Sequence, residues 1–223
     1  MKIYPSLISA KNLLHLEQTI TDFDSLCDGY HIDVMDDHFV PNLTWGPAFT
    51  NAIIAKTKLP VHVHLMVDRP EQWVERITWR ASDVFIFHYE AFLSIAQIQN
   101  LISMLQEKSI RCGLALNPAT PIDNIESIVS HLDTVLLMSV QPGFSGQTFR
   151  QEIVQKIPKL ISLREEKKLT FTVGVDGGVN EKNIPILRDL GVDYVGVASA
   201  IFDSTHPIQA LRNLKTYTIP VKM

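Results

Sequence analysis

Cysteine is scarce in this chain: Cys27 and Cys112 are the only two in 223 residues. They lie far apart and form no Cys-x-x-Cys unit, so a disulfide framework is not expected; two buried thiols in a reducing compartment are. No apolar run reaches the roughly 18 residues of a membrane span. The opening MKIYPSLIS lacks the charged and apolar regions of a secretory signal, which makes the cytoplasm the expected location. An excess of either charge is missing too. The formal net charge is −4, which offers neither nucleic acid nor an anionic membrane a field to bind. An anionic ligand would need a local device such as backbone amides. No G-x-G-x-x-G turn follows the first apolar run, where the chain reads SAKN, and this argues against a dinucleotide-binding open sheet. No low-complexity stretch or linker divides the chain. Residues 1–223 are therefore read as one domain, ending in a loose tail, IPVKM.

What is present is a regular alternation. Short apolar runs rich in β-branched residues (KIYPSLIS, YHIDVM, PVHVHLMV, DVFIFHYE, RCGLALN, DTVLLMSV, TFTVGVDGG, VDYVGVASA) alternate with helical patterns. In the first helical pattern Leu13, Leu16, Ile20 and Phe23 fall on one face. Others open with proline near their start, as at Pro47, Pro70 and Pro121. The eight strands are near-continuous apolar runs rather than alternating ones, as a parallel sheet covered on one side and filled on the other requires. Eight strands, each followed by a helix, in a chain of this length predict an α/β fold, a compact (β/α)8 TIM barrel. Pro5 cannot donate to a ladder, so a strand start or bulge is expected there.

A barrel of this kind builds its active site at the C-terminal ends of the strands. Reactive residues fall there. With a side-chain period of two, His31, Asp33 and Met35 share one face of the second strand, and His62, His64 and Met66 one face of the third. Asp176 ends the seventh strand, directly before Gly177 and Gly178; Ser6 lies on the first and Met138 on the sixth. A lone inward histidine is more often a hydrogen-bonded core residue, but an inward aspartate is costly to bury without a partner. Two histidines and two carboxylates together can hold a divalent transition metal such as Zn²⁺, Fe²⁺, Co²⁺ or Mn²⁺. The loops QPGFSGQ, DGGVN and VASA, after strands six to eight, are placed to receive a phosphate.

These segments resemble one family. HIDVMDDHFVPN, HLMVDRPEQW, LNPATP, LLMSVQPGFSGQ and VDGGVN, in this order from PSLISA to SAIF, are similar to the ribulose-phosphate 3-epimerases. The resemblance implies a ribulose-phosphate-binding barrel of carbohydrate metabolism, in the pentose phosphate pathway. It would interconvert D-ribulose 5-phosphate and D-xylulose 5-phosphate with one divalent metal and no organic cofactor. It implies His31, Asp33, His64 and Asp176 as metal ligands, with Asp33 and Asp176 also the acid/base pair acting at C3 through a metal-stabilised enediolate. Ser6 and His64 would contact substrate. Gly143, Phe144, Ser145, Gly146, Asp176, Gly177, Gly178, Ala198 and Ser199 would line the sugar and phosphate path. Met35, Met66 and Met138 would form an apolar cap. A homo-oligomer, dimer or hexamer, is implied as well, and Trp45, Trp73 and Trp79 are candidate contact residues.

The chain departs from the family pattern in places. Asp37, Ser145 and Ala198 stand where the family usually has glycine, and His62 where an acidic residue is common. Aspartate tolerates φ > 0 better than most residues, should position 37 require it. Asp36 is expected to support the site, His38 to serve the loop, and His88 to serve either the site or the core. An epimerase for a related ketose phosphate, such as allulose 6-phosphate, would need the same metal and carboxylates. A decarboxylase on a related barrel would carry a D-x-K-x-x-D unit, and DVMDDH has no lysine. A non-catalytic sugar-phosphate binder would have no need of both carboxylates.

Overall fold

The structure is a computed structural model and describes residues 1–220. Residues 221–223 of the expected tail lie outside the described residues; before them, the Ile219 carbonyl accepts a hydrogen bond from Arg188 at 2.8 Å.

Eight strands form one sheet: β1 (Lys2–Pro5), β2 (Tyr30–Met35), β3 (Val61–Met66), β4 (Val84–His88), β5 (Arg111–Leu116), β6 (Thr134–Met138), β7 (Thr172–Asp176) and β8 (Tyr194–Val197). Their order is β1-β8-β7-β6-β5-β4-β3-β2 and every pairing is parallel. A single bridge, Ser6 to His31, draws β1 towards β2 and leaves the barrel nearly closed. The strands are buried along almost their whole length, which accounts for their unbroken apolar character. One core lies between strands and helices, with Ile20, Leu105, Ile157 and Leu187 fully buried. A smaller one fills the barrel interior with Tyr4, Val84, Ile86, Ala115, Leu136 and Tyr194.

The helices are α1 (Leu16–Phe23), α2 (Pro47–Lys56), α3 (Ile95–Glu107), α4 (Ile153–Glu166), α5 (Ile184–Asp189), α6 (Ser199–Phe202) and α7 (Pro207–Tyr217). The expectation of a helix after every strand needs correction. After β3 there is only a 3-10 turn, Pro70–Trp73; after β5 there are two, Ile122–Ile125 and Val129–His131. In the first case Asn51 of α2 takes the backbone groups a helix would need: its side chain donates to the Arg76 carbonyl and accepts from the Thr78 N–H. In the second, the segment is built largely from β-branched Ile and Val with Asp, Asn and Ser, all weak helix formers. Leu13 also leaves its expected face. It opens a 3-10 turn and is 47% exposed, while Leu16, Ile20 and Phe23 are buried. Pro5 ends β1 rather than starting or bulging it.

A repeated device sets the N-terminal rim. Asp28, Asp83, Asp133 and Asp193 stand just before β2, β4, β6 and β8. Each carboxylate accepts the N–H of a residue on the preceding strand: Ile3, Val61, Cys112 and Val173, at 2.7–3.0 Å. Each also has a basic partner, respectively Lys215, Arg80, Arg111 and Arg164.

Candidate active site

Register places the reactive residues at one height. On β2 and β3, Asp33 pairs with His64 and Met35 with Met66; on β6 and β7, Met138 pairs with Asp176. The β2 end is pinned by Thr44, whose hydroxyl donates to the Asp33 carbonyl at 2.6 Å and accepts from the Met35 N–H at 2.9 Å. Asp36 then ties two loops together. One of its oxygens accepts the N–H groups of His38 and Phe39, the other that of Asp68. Asp37 has φ 60, the left-handed conformation that aspartate tolerates.

His31, Asp33, His64 and Asp176 converge beneath the barrel mouth. One ligand atom from each lies within 4.8 Å of the other three, so the cluster could hold a metal ion. His31 Nε2 is 3.1 Å from His64 Nδ1 and 3.3 Å from Asp33 Oδ1. His64 Nδ1 is 3.0 Å from Asp33 Oδ1, and Asp176 Oδ2 is 3.7 Å from His31 Nε2 and 3.9 Å from His64 Nδ1. Ser6 Oγ donates to the other Asp33 oxygen at 2.5 Å. Two imidazoles and two carboxylates offering lone pairs in so small a buried volume are the donor set of a divalent transition metal.

Electrostatics separate the two carboxylates. Burial would raise the Asp33 carboxyl, but the adjacent His31 and His64 outweigh it and hold the group well below its ordinary value. For Asp176, burial prevails, with Asp33 adding to it against His31 and His64, and its carboxyl is raised. Burial opposes the charged form of His31, yet Asp33 and Asp176 raise that ring; burial lowers His64 to about 4.

A cleft of about 490 Å³ lies above this cluster. Of the residues expected to line it, Ser6, Gly143, Phe144, Ser145, Gly146, Asp176, Gly177, Gly178, Ala198 and Ser199 do so, as do Asp33 and the three methionines Met35, Met66 and Met138. His64 does not line it; like His31 it is fully buried beneath. Gly178 has φ +59, and a Cβ there would meet the Phe149 nitrogen at 2.6 Å, so this turn needs glycine. Two departures from the family pattern, Ser145 and Ala198, are in the cleft wall. His62 is elsewhere: it stacks on Tyr4 at 4.2 Å, edge-on to Tyr194, one layer down in the barrel. Trp45, Trp73 and Trp79 are partly buried against the core rather than fully exposed. Thr44, Ser139 and Glu90 are among the residues left out of the sequence reading, as is Gly196 in the cleft wall. The Ser139 hydroxyl, just past the end of β6, lies within hydrogen-bond reach of the carbonyls of Asp176 and Gly177. A polar residue at or just past a strand end is the one signal that marks Ser139 and Glu90.

Fold and site together define a TIM-barrel enzyme with a buried two-histidine, two-carboxylate cluster at its mouth. Residues 2–202 match the ribulose-phosphate 3 epimerase family. The ribulose-phosphate 3-epimerase of Bacillus subtilis is 35% identical over 96% of this chain and 98% of its own length. That of Methanocaldococcus jannaschii is 38% identical over 96% of this chain and 90% of its own. The chain belongs to the ribulose-phosphate 3-epimerase family, enzymes acting on carbohydrates. More distant barrels share the fold alone. A Streptococcus mutans protein, KGPDC in complex with D-R5P, has TM-score 0.70 and 13% identity, covering 97% of this chain and 96% of its own. The 3-hexulose-6-phosphate synthase of Salmonella typhimurium has TM-score 0.67 and 15% identity, covering 98% of each chain. Among the described residues no helix is long and apolar enough to cross a membrane.

Proposed function

We propose that this chain interconverts D-ribulose 5-phosphate and D-xylulose 5-phosphate by moving the proton at C3. The carrying observation is that Asp33 and Asp176 both line one cleft, on strands separated in the ring by β1 and β8. Epimerisation removes a proton from one face of a carbon beside a ketone and returns one to the other face. Two carboxylates on opposite sides of the substrate do this without either having to cross it. In one direction Asp33 takes the proton and Asp176 delivers one; in the reverse direction they exchange tasks.

His31, Asp33, His64 and Asp176 would hold one divalent ion, zinc, iron(II), manganese or cobalt, which supplies Lewis-acid stabilisation of negative charge on the substrate oxygens. Ser6, bonded to Asp33, fixes the orientation of that base. Met35, Met66 and Met138 line the cleft with adaptable apolar surface and keep water from the reacting carbon. Gly143–Gly146, Gly177, Gly178, Ala198 and Ser199, which line the cleft, receive the sugar and its phosphate. Both cysteines are free and buried, which fits a cytoplasmic enzyme. The family resemblance supports a homo-oligomer, dimer or hexamer.

The test is incubation with ribulose 5-phosphate in D₂O with Zn²⁺ or Mn²⁺ present. Xylulose 5-phosphate with deuterium at C3 is expected; absence of C3 exchange refutes the proposal. Running the same assay with allulose 6-phosphate separates a pentulose from a hexulose enzyme.

A further inference from the structure

His64 does not end at the cluster. Its far nitrogen, Nε2, lies 2.8 Å from His88 Nε2 at the end of β4. The other nitrogen of His88, Nδ1, lies 3.2 Å from Glu90 Oε2. Glu90 is held in turn. Its Oε1 accepts the Asn117 N–H at 2.9 Å and the Thr120 hydroxyl. Lys156 of α4 fastens the same loop, donating to the Thr120 carbonyl at 2.6 Å and to that of Pro118. His64 and His88 are fully buried, so no solvent competes for the bond between them.

A chain of such groups has a direction. An ionised carboxylate only accepts, and a neutral imidazole has one donor and one acceptor. Burial would raise the Glu90 carboxyl, but His88, Thr120 and Asn117 together lower it, so it is the accepting end. His88 then donates from Nδ1 and accepts at Nε2. His64 must donate from Nε2, which leaves a lone pair on Nδ1. That nitrogen faces the cluster, 3.0 Å from Asp33 Oδ1 and 3.1 Å from His31 Nε2, where its lone pair is available to a cation.

We propose that Glu90, acting through His88, fixes His64 in the tautomer that presents a lone pair at Nδ1 to the cluster. Glu90 and His88 are thus positioning residues for a metal ligand, tied through Asn117 and Thr120 to the loop after β5. The inference rests on reading the four-residue cluster as a metal site. Outer hydrogen-bond partners of this kind orient ligating histidines and raise their basicity.

Glu90→Gln tests the direction of the chain. The Asn117 N–H and Thr120 hydroxyl retain the amide oxygen, so the amide NH₂ turns to His88. Every bond in the line reverses, and the His64 proton moves to Nδ1, where the metal must bind. Two readouts apply to the chelator-treated full chain: the protonated nitrogen of His64, by NMR of ¹⁵N-histidine-labelled protein, and Zn²⁺ affinity, by chelator competition. The wild type should carry the proton on Nε2 and bind Zn²⁺ in a manner lost in His31→Ala. Glu90→Gln should carry it on Nδ1 and bind Zn²⁺ about 10- to 100-fold more weakly. Thr120→Val, which keeps the carboxylate facing His88, should retain the wild-type tautomer. If Glu90→Gln does not fold, His88→Phe fills the same space without an acceptor, and the His64 proton should then pass to Nδ1 beside Asp33. A Glu90→Gln protein with the proton still on Nε2 and unchanged Zn²⁺ affinity overturns the proposal. So does a Thr120→Val protein whose proton moves. A wild type that binds no Zn²⁺ at the cluster removes the metal reading instead, while the tautomers still judge the chain of bonds.

Discussion

Two aspartates show how position decides what one side chain does. Asp176 ends β7, and Gly196 on β8 makes room for it: a Cβ there would come within 2.6 Å of Oδ1. Burial raises its carboxyl, in the direction the proposed proton delivery uses. Asp176→Asn keeps the shape and removes the proton transfer, so turnover should fall by about 10²- to 10⁴-fold while the melting curve of the metal-free protein stays near wild type. Near-normal turnover would take Asp176 out of the reaction. Asp37, in the loop after β2, has φ 60 and faces no catalytic group that would explain it. Its backbone does the local work, the N–H donating to the Asn42 carbonyl at 2.9 Å. Asp37→Gly should therefore raise stability by up to about 1 kcal/mol, and Asp37→Val lower it by about 1–2 kcal/mol. Urea unfolding that ranks valine above glycine would contradict this.

At the scale of elements, the barrel is built from strand pairs locked at one rim. The aspartates before β2, β4, β6 and β8 each cap the strand that precedes them, and a basic side chain neutralises each. Asp83 is the most demanding case. Its side chain is fully buried, and it binds Arg80, the Arg80 N–H and the Val61 N–H together. Asp83→Ala leaves the guanidinium and a strand N–H without their partner, and should cost about 3–5 kcal/mol in chemical denaturation. Asp133, whose side chain is 42% exposed, should cost less when replaced by alanine, since water can reach the groups left behind. Equal losses at the two positions would mean that burial is not what sets the cost.

For the molecule as a whole, a cation at the cluster would bind the folded state and not the unfolded chain. Zn²⁺ at about a hundred times its dissociation constant should add about 2.7 kcal/mol to the unfolding free energy of the chelated protein. Unfolding that ignores Zn²⁺ would count against a resident metal. Much of this was legible along the chain. Apolar runs and turn signals are local, and they named the eight strands. A side-chain period of two put His31, Asp33 and Met35 on one face with no knowledge of their neighbours. The same period could not tell His62 from His64, which share a face. Register decided that: His64 stands level with Asp33 and reaches the cluster, while His62 lies opposite His31 and packs on Tyr4. Nor did any local window hold the line from His64 through His88 and Glu90 to Thr120, which crosses three strands. The sequence by itself determined the eight strands and which face their reactive side chains take, because both follow from neighbouring residues. Only the tertiary structure decided which of those side chains meet, because height in the barrel and contact across it depend on the pairing of strands far apart in the chain.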